Sequence, residues 1–188
     1  MGRLAATRWL ERLDAAREAC LRGEAEGVHQ VRVVARRLRV WVRLAKQPAL
    51  DDELRWLIHE LGLLRDLDVL GETLTAAARA QLRGPAIARA VSALESERYR
   101  TLRASLAAAK APRRRRARKL VARLEARLAG TQLTAETEAL HRLRRKLRTL
   151  RYAREWLGLD AAALAEDQQW LGSLCDLFAL ERLARQLV

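Results

Sequence analysis

Little in this chain suits a sheet, a disulfide scaffold or a membrane span. Its 188 residues include only three prolines, nine glycines and two cysteines, and aromatics make up 4%. Cys20 and Cys175 lie far apart and match no metal or redox spacing, which reads as buried thiols in a reducing compartment. No stretch approaches the roughly 20 uninterrupted apolar residues of a membrane span. The start, M-G-R-L-A-A-T-R-W-L, lacks the apolar core of a secretion signal. A soluble cytoplasmic protein is expected. Acids are scarce as well: 23 Asp and Glu stand against 37 Lys and Arg, a net charge of +14. Lysine supplies only Lys46, Lys110, Lys119 and Lys146, so the excess is arginine. Codon bias inflates arginine but does not explain the missing acids. Such an excess repels itself and costs stability unless an anionic partner offsets it.

What is present forms helices. Ala, Leu, Arg and Glu fill long segments, and the pattern predicts helices at 3–22, 28–47, 51–82, 86–110, 113–129, 136–157 and 161–187. Breaks are expected at Gly23 to Gly27, Gln47-Pro48, Gly84-Pro85, Ala111-Pro112 and Gly130, with a cap near Thr134 and first helical turns at Pro85 and Pro112. The fold class is all-α, with short connections and antiparallel neighbours.

One segment occurs twice. Val28 to Arg43 reads V-H-Q-V-R-V-V-A-R-R-L-R-V-W-V-R, and Leu140 to Glu155 reads L-H-R-L-R-R-K-L-R-T-L-R-Y-A-R-E. Aligning His29 with His141 pairs Arg32 with Arg144, Arg36 with Arg148 and Arg39 with Arg151. With His29 at 0° and about 100° per residue, Arg32, Arg36, Arg39 and Arg43 fall between about 280° and 340°, while Val31, Val34, Leu38 and Val42 fall between about 140° and 220°. The second copy repeats the stripe with His141, Arg144, Arg148 and Arg151, and Glu155 replaces the fourth arginine, Arg43. From His29 to Arg43 the rise is about 21 Å, which suits a chain of phosphates better than one small anion. The bland alternative is a solvated face with salt bridges. Against it, Val28 to Arg43 contains no acid.

A second motif repeats too: Leu61-Gly62-Leu63-Leu64-Arg65-Asp66-Leu67 matches Leu171-Gly172-Ser173-Leu174-Cys175-Asp176-Leu177. A glycine inside a helical run suggests close helix packing. Asp66 and Asp176 read as structural, pairing with a stripe arginine or capping a helix.

These four motifs, in this order, resemble the CHAD domain, the conserved histidine α-helical domain, over nearly the whole chain. The resemblance implies two pseudo-symmetric antiparallel bundles from an internal duplication, about 1–111 and 112–188, around a basic central cavity. It implies binding of inorganic polyphosphate without catalysis, with association to polyphosphate granules in view, and no metal or other cofactor. Carried over residue by residue, the implied site is His29, Arg32, Arg36, Arg37, Arg39 and Arg43, with His141, Arg144, Arg145, Lys146, Arg148 and Arg151 from the second copy. Tyr152 stands where the family has its R-Y pair. Two departures are visible. Cys175 sits where the family usually has a polar residue such as Asn, and the second half lacks a counterpart of the segment 86–110.

The residues support this chemistry directly. A guanidinium donates two parallel hydrogen bonds to phosphate oxygens and keeps its charge. Affinity should fall steeply with salt as counterions are released. His29 and His141 read as phosphate donors that strengthen below about pH 6.5, not as metal ligands, because their neighbours at i+3 are cations. His59 reads as a structural helix residue. The run Pro112-Arg113-Arg114-Arg115-Arg116-Ala117-Arg118-Lys119 suits the mouth of a polyphosphate site, long-range attraction of polyanions, or a generic nucleic-acid patch. A DNA- or RNA-binding protein is the rival reading. Binding of single strands requires exposed aromatics for stacking, whereas Trp41, Trp156 and Trp170 sit among apolar neighbours and only Tyr152 borders a stripe. An enzyme reading lacks support, since Asp66-Leu67-Asp68 is the only D-x-D and its carboxylates diverge on a helix.

Overall fold

Helix-forming composition with few breakers gives the expected class. A computed structural model describes residues 2–70, 74–131 and 136–173, and all regular structure among them is helical, with no strand. The elements are α1 (Thr7–Leu21), α2 (Ala25–Ala45), α3 (Pro48–Glu60), α4 (Gly62–Leu70), α5 (Ala76–Glu95), α6 (Glu97–Ala108), α7 (Arg114–Ala129) and α8 (Thr137–Leu157). A further helix, α9, covers 162–173. The chain forms two compact units, Arg3–Pro112 and a second made of residues 1–2 with Arg113–Val188.

In the unit Arg3–Pro112, α2 packs between α1 and α3, and its apolar side is buried. Val31, Leu38 and Val42 are fully buried and meet Leu13, Leu54, Leu57 and Leu61 in the core. Trp41 is buried as well, its indole Nε1 donating to the Leu4 carbonyl at 2.6 Å. That bond explains why 3–6 is not helical: Leu4 is buried, and its backbone N–H is spent on the Pro112 carbonyl. Gly27 lets α1 and α2 approach, because a Cβ there would overlap the Cys20 backbone. Gly27→Ala should therefore cost about 3 kcal/mol by overpacking. A thermal melt matching the wild type would show the contact to be looser than described.

Three boundaries differ from the pattern. The stretch 51–82 is not one helix: α3 stops at Glu60, α4 begins at Gly62, and α5 begins after Thr75, whose Oγ1 accepts from the Ala78 N–H at 3.3 Å. Gly84-Pro85 is not a break, because α5 runs through Pro85. Residues 81–85 are all exposed, so the backbone partner that proline leaves unbonded lies on a wet face, and Gly84 removes side-chain crowding ahead of the ring. The real break is Ser96, whose Oγ accepts from the Tyr99 N–H at 3.1 Å and caps α6. Pro48 sits in the first turn of α3, whereas Pro112 precedes α7 by two residues. Thr134 lies outside the described residues.

In the second unit α7 packs on α8, and Leu140, Leu147 and Leu171 form a buried cluster flanked by Leu128, Leu143 and Leu164. The two stripe helices end alike. Lys46 and Gly158 both adopt the left-handed conformation, at φ 60° and 71°, and each is followed by a backbone bond back over the last turn, Gln47 to Val42 and Leu159 to Arg154. Their separation, 158 − 46 = 112, equals that of the histidines, 141 − 29 = 112.

Candidate functional site

The α2 stripe divides into two halves with different neighbours. In the first half His29, Arg32 and Arg36 are half-buried. Arg32 is held from within: its Nη1 donates to the Ile58 carbonyl of α3 at 2.6 Å and passes 3.5 Å from where a Cβ on Gly62 would stand. The neighbour of the motif glycine is thus a guanidinium, at ordinary contact distance, rather than a helix backbone. Arg65, one turn further along α4, faces His29 closely enough to act on its charge. No carboxylate partners Arg65 among the described residues. Arg65 was not among the residues expected from sequence. The repeated L-G motif was the available signal, but its second copy carries Cys175 at the matching position, so the alignment hid it.

In the second half the stripe carries an acid. Asp51, in the first turns of α3 and only 7% exposed, accepts from Arg39 Nε at 2.7 Å and Arg39 Nη2 at 3.3 Å, and from Arg43 Nε at 2.9 Å. Arg55 adds a looser contact at 3.5 Å. Burial pushes the Asp51 carboxyl up, but the hydrogen bonds from Arg39 and Arg43 outweigh it and hold the group below its ordinary value. The expectation of a stripe without an acid beside it is therefore corrected. The acid comes from α3, eight residues past Arg43, where the helix wheel of α2 cannot show it. Arg37 is corrected as well. It stacks on Trp9 of α1, its guanidinium carbon 4.7 Å from the ring centre, with Arg12 also 5.0 Å from that ring. At about 80° on the wheel it lies well off the stripe.

The α8 stripe repeats the first half. His141, Arg144 and Arg148 are half-buried. Arg144 Nη2 lies 2.9 Å from where a Cβ on Gly172 would stand, and its Nε is buried without a hydrogen-bond partner among the described residues. Arg151 is again tied to a carboxylate, Glu155 at 2.9 Å, with Gln168 of α9 at 3.3 Å. The remaining expected residues leave the row. Arg145 pairs with Glu138 at 3.0 Å on the exposed side. Lys146 is exposed and, at about 140°, stands away from the arginines. Tyr152 is 3% exposed, with Arg151 over its ring at 5.3 Å. It is a core residue that supports Arg151, because burying the ring body gains more than leaving it wet.

His29 differs from a simple donor. Burial lowers its pKa first, Arg65 lowers it further, and Arg36 and Arg32 add to this, while Glu26, 3.9 Å away, opposes them. The charged imidazolium is therefore disfavoured at His29, relative to a free histidine, while the row holds no anion. Other expectations can be placed quickly. Cys20 is buried, and burial raises its thiol pKa, with Asp68 adding to the effect; Cys175 and Asp176 lie outside the described residues. Asp66 is exposed and pairs with no stripe arginine, while Asp68 binds Arg83 at 3.2 Å. His59 is exposed on the last turn of α3. Trp170 is 57% exposed, not apolar-packed, and borders a hollow with Leu128, Leu143 and the acid Asp167. Among the described residues no three His, Cys, Asp or Glu side chains gather as a metal-ligand set. No described helix is long and apolar enough to cross a membrane.

Fold and site together define a class, an all-helical protein that presents half-buried guanidinium rows from its longest helices. The chain belongs to the CHAD domain family, whose model matches residues 4–185. It is similar to the crystal structure of the CHAD domain from the plant Ricinus communis, with 28% identity and a TM-score of 0.73 over 95% of this chain and 75% of that one. It also shares its fold with PptA from Streptomyces chartreusis, at 20% identity and a TM-score of 0.65 over 95% of this chain and 84% of that one. No curated protein matches.

Proposed function

We propose that this protein binds inorganic polyphosphate through the rows His29–Arg32–Arg36 with Arg65, and His141–Arg144–Arg148, as a binding protein without catalytic chemistry. The observation that carries the reading is the repeated seating of the first arginine. In each unit a guanidinium is packed against the glycine of an L-G motif, at Gly62 and at Gly172. Such a group is fixed before the ligand arrives, which reduces the ordering entropy lost on binding. Family membership supports the same ligand. Titration with long-chain polyphosphate beside a mixed-sequence oligonucleotide, at physiological salt, tests the reading: polyphosphate should bind far more tightly. Equal affinity for the two would favour a nucleic-acid protein instead.

Binding should also be linked to protons. An anion in the row offsets the repulsion from Arg65, Arg36 and Arg32, so it raises the lowered pKa of His29. Binding then takes up a proton, and affinity should rise as pH falls below about 6.5 and stay level above it. The ligand-free fold behaves oppositely. It binds protons less readily than the unfolded chain, so His29 costs stability as pH falls through the same range. His29→Gln should flatten the affinity profile between pH values around 5 and 7. An unchanged slope in that variant would remove His29 from the site.

A further inference from the structure

Outside α7, most exposed arginines among the described residues are spent on carboxylates. Arg89 holds Glu60 at 2.6 Å, Arg98 holds Glu53 at 2.6 Å, Arg100 holds Glu97 at 2.7 Å, and Arg145 holds Glu138 at 3.0 Å. One helix breaks this habit. Arg115, Lys119, Arg123 and Arg127 of α7 are all exposed, and none has an ion pair or side-chain hydrogen bond among the described residues. With Arg114 at 0° they fall at about 100°, 140°, 180° and 220°, a single face about 18 Å long. The buried side of α7, Ala117, Val121 and Leu124, points the opposite way. The acid Glu125, at about 20°, is off the face and is engaged by Arg154.

We infer that this face of α7 is a second, external contact for phosphate chains, distinct from the α8 row. This inference rests on the polyphosphate reading of that row. The chemistry of the face selects the ligand class. Ala122 and Ala126 are the apolar side chains interspersed there, with half-buried Leu120 at the edge, so it has little to insert into a lipid surface. It also carries no aromatic side chain on which a base could stack. What it offers is four exposed cations, one per helical turn, with Arg116 at about 200° beside them, which read only a run of negative charge. On a convex exposed face such cations act mainly at long range. They draw in a polyanion and hold the length that extends beyond the row, and so speed encounter more than they set the affinity of a short ligand.

Replacing Arg115, Lys119, Arg123 and Arg127 together by glutamine keeps helix propensity, since glutamine is as good a helix former as arginine. The association rate with long-chain polyphosphate should fall about tenfold at low salt, the difference vanishing at high salt. Tripolyphosphate, too short to reach beyond the row, should bind the variant as it binds the wild type. Unchanged long-chain kinetics would overturn the inference. So would a parallel loss of tripolyphosphate affinity, which would make the face part of the row itself. Loss of duplex DNA binding with polyphosphate kinetics intact would reassign the face to nucleic acid. A wild type that holds neither polyphosphate probe would instead bring down the function reading, and the inference with it.

Discussion

Exchanging Arg32, Arg36, Arg144 and Arg148 together for glutamine should weaken long-chain polyphosphate binding by about three orders of magnitude. A hydrogen bond to a charged group contributes roughly 1.5–3 kcal/mol, and four lost together give more than the ~4 kcal/mol that this change requires, even after allowance for non-additivity. The dependence of affinity on salt should become shallower at the same time, because fewer phosphates are neutralised. Helical content should survive, but stability should fall. Arg32 bonds the Ile58 carbonyl and Arg144 has its Nε buried, so these two also support the fold. Arg36→Gln with Arg148→Gln alone separates the effects, since it leaves Arg32 and Arg144, the two arginines seated against the fold, in place. Circular dichroism and a salt series on both variants decide the matter. A quadruple variant that is helical and still binds like the wild type would dissolve the row as a site.

The fold class was readable from composition because nothing in the chain competes with helix. Boundaries were less so. Leu61, Gly62 and Ser96 end helices through backbone geometry and a hydroxyl cap, whereas the louder Gly84-Pro85 signal lies on a wet face where a lost hydrogen bond costs little. Periodicity found the rows, since the side of α2 that buries Val31, Leu38 and Val42 fixes where Arg32 and Arg36 must stand. It could not find what other helices bring to them. Asp51 and Arg65 come from α3 and α4, and a wheel drawn for one helix contains neither. Resemblance brought in Arg37, Lys146 and Tyr152 by proximity in sequence, and packing then separated them: one on Trp9, one in solvent, one in the core.

Asp51 yields the prediction where intuition about charge and the geometry disagree in sign. Asp51→Asn raises the net charge and should, by attraction alone, tighten the hold on any polyanion. The contacts argue the reverse. Asp51 accepts from Nε and Nη2 of Arg39 and from Nε of Arg43, so it fixes the pose of both guanidinium groups as well as offsetting their charge. An amide can accept only part of this set and gives up the charge that strengthens it. Arg39 and Arg43 then lose their fixed pose, and ordering them again falls on the ligand. Affinity for long-chain polyphosphate should drop about tenfold, equivalent to about 1.4 kcal/mol. Stability should drop by a few kcal/mol, as it does when one partner of a largely buried pair is removed. The same pair makes the fold acid-sensitive. Because the folded-state pKa of Asp51 is lowered, its contribution is present above the ordinary carboxylate value and disappears as pH falls through the lowered one. That loss should be missing from the acid unfolding curve of Asp51→Asn. Measured by calorimetry beside the stability curve, tighter binding by the variant would show that Asp51 merely blocks the far half of the row; weaker binding would show that it aims it.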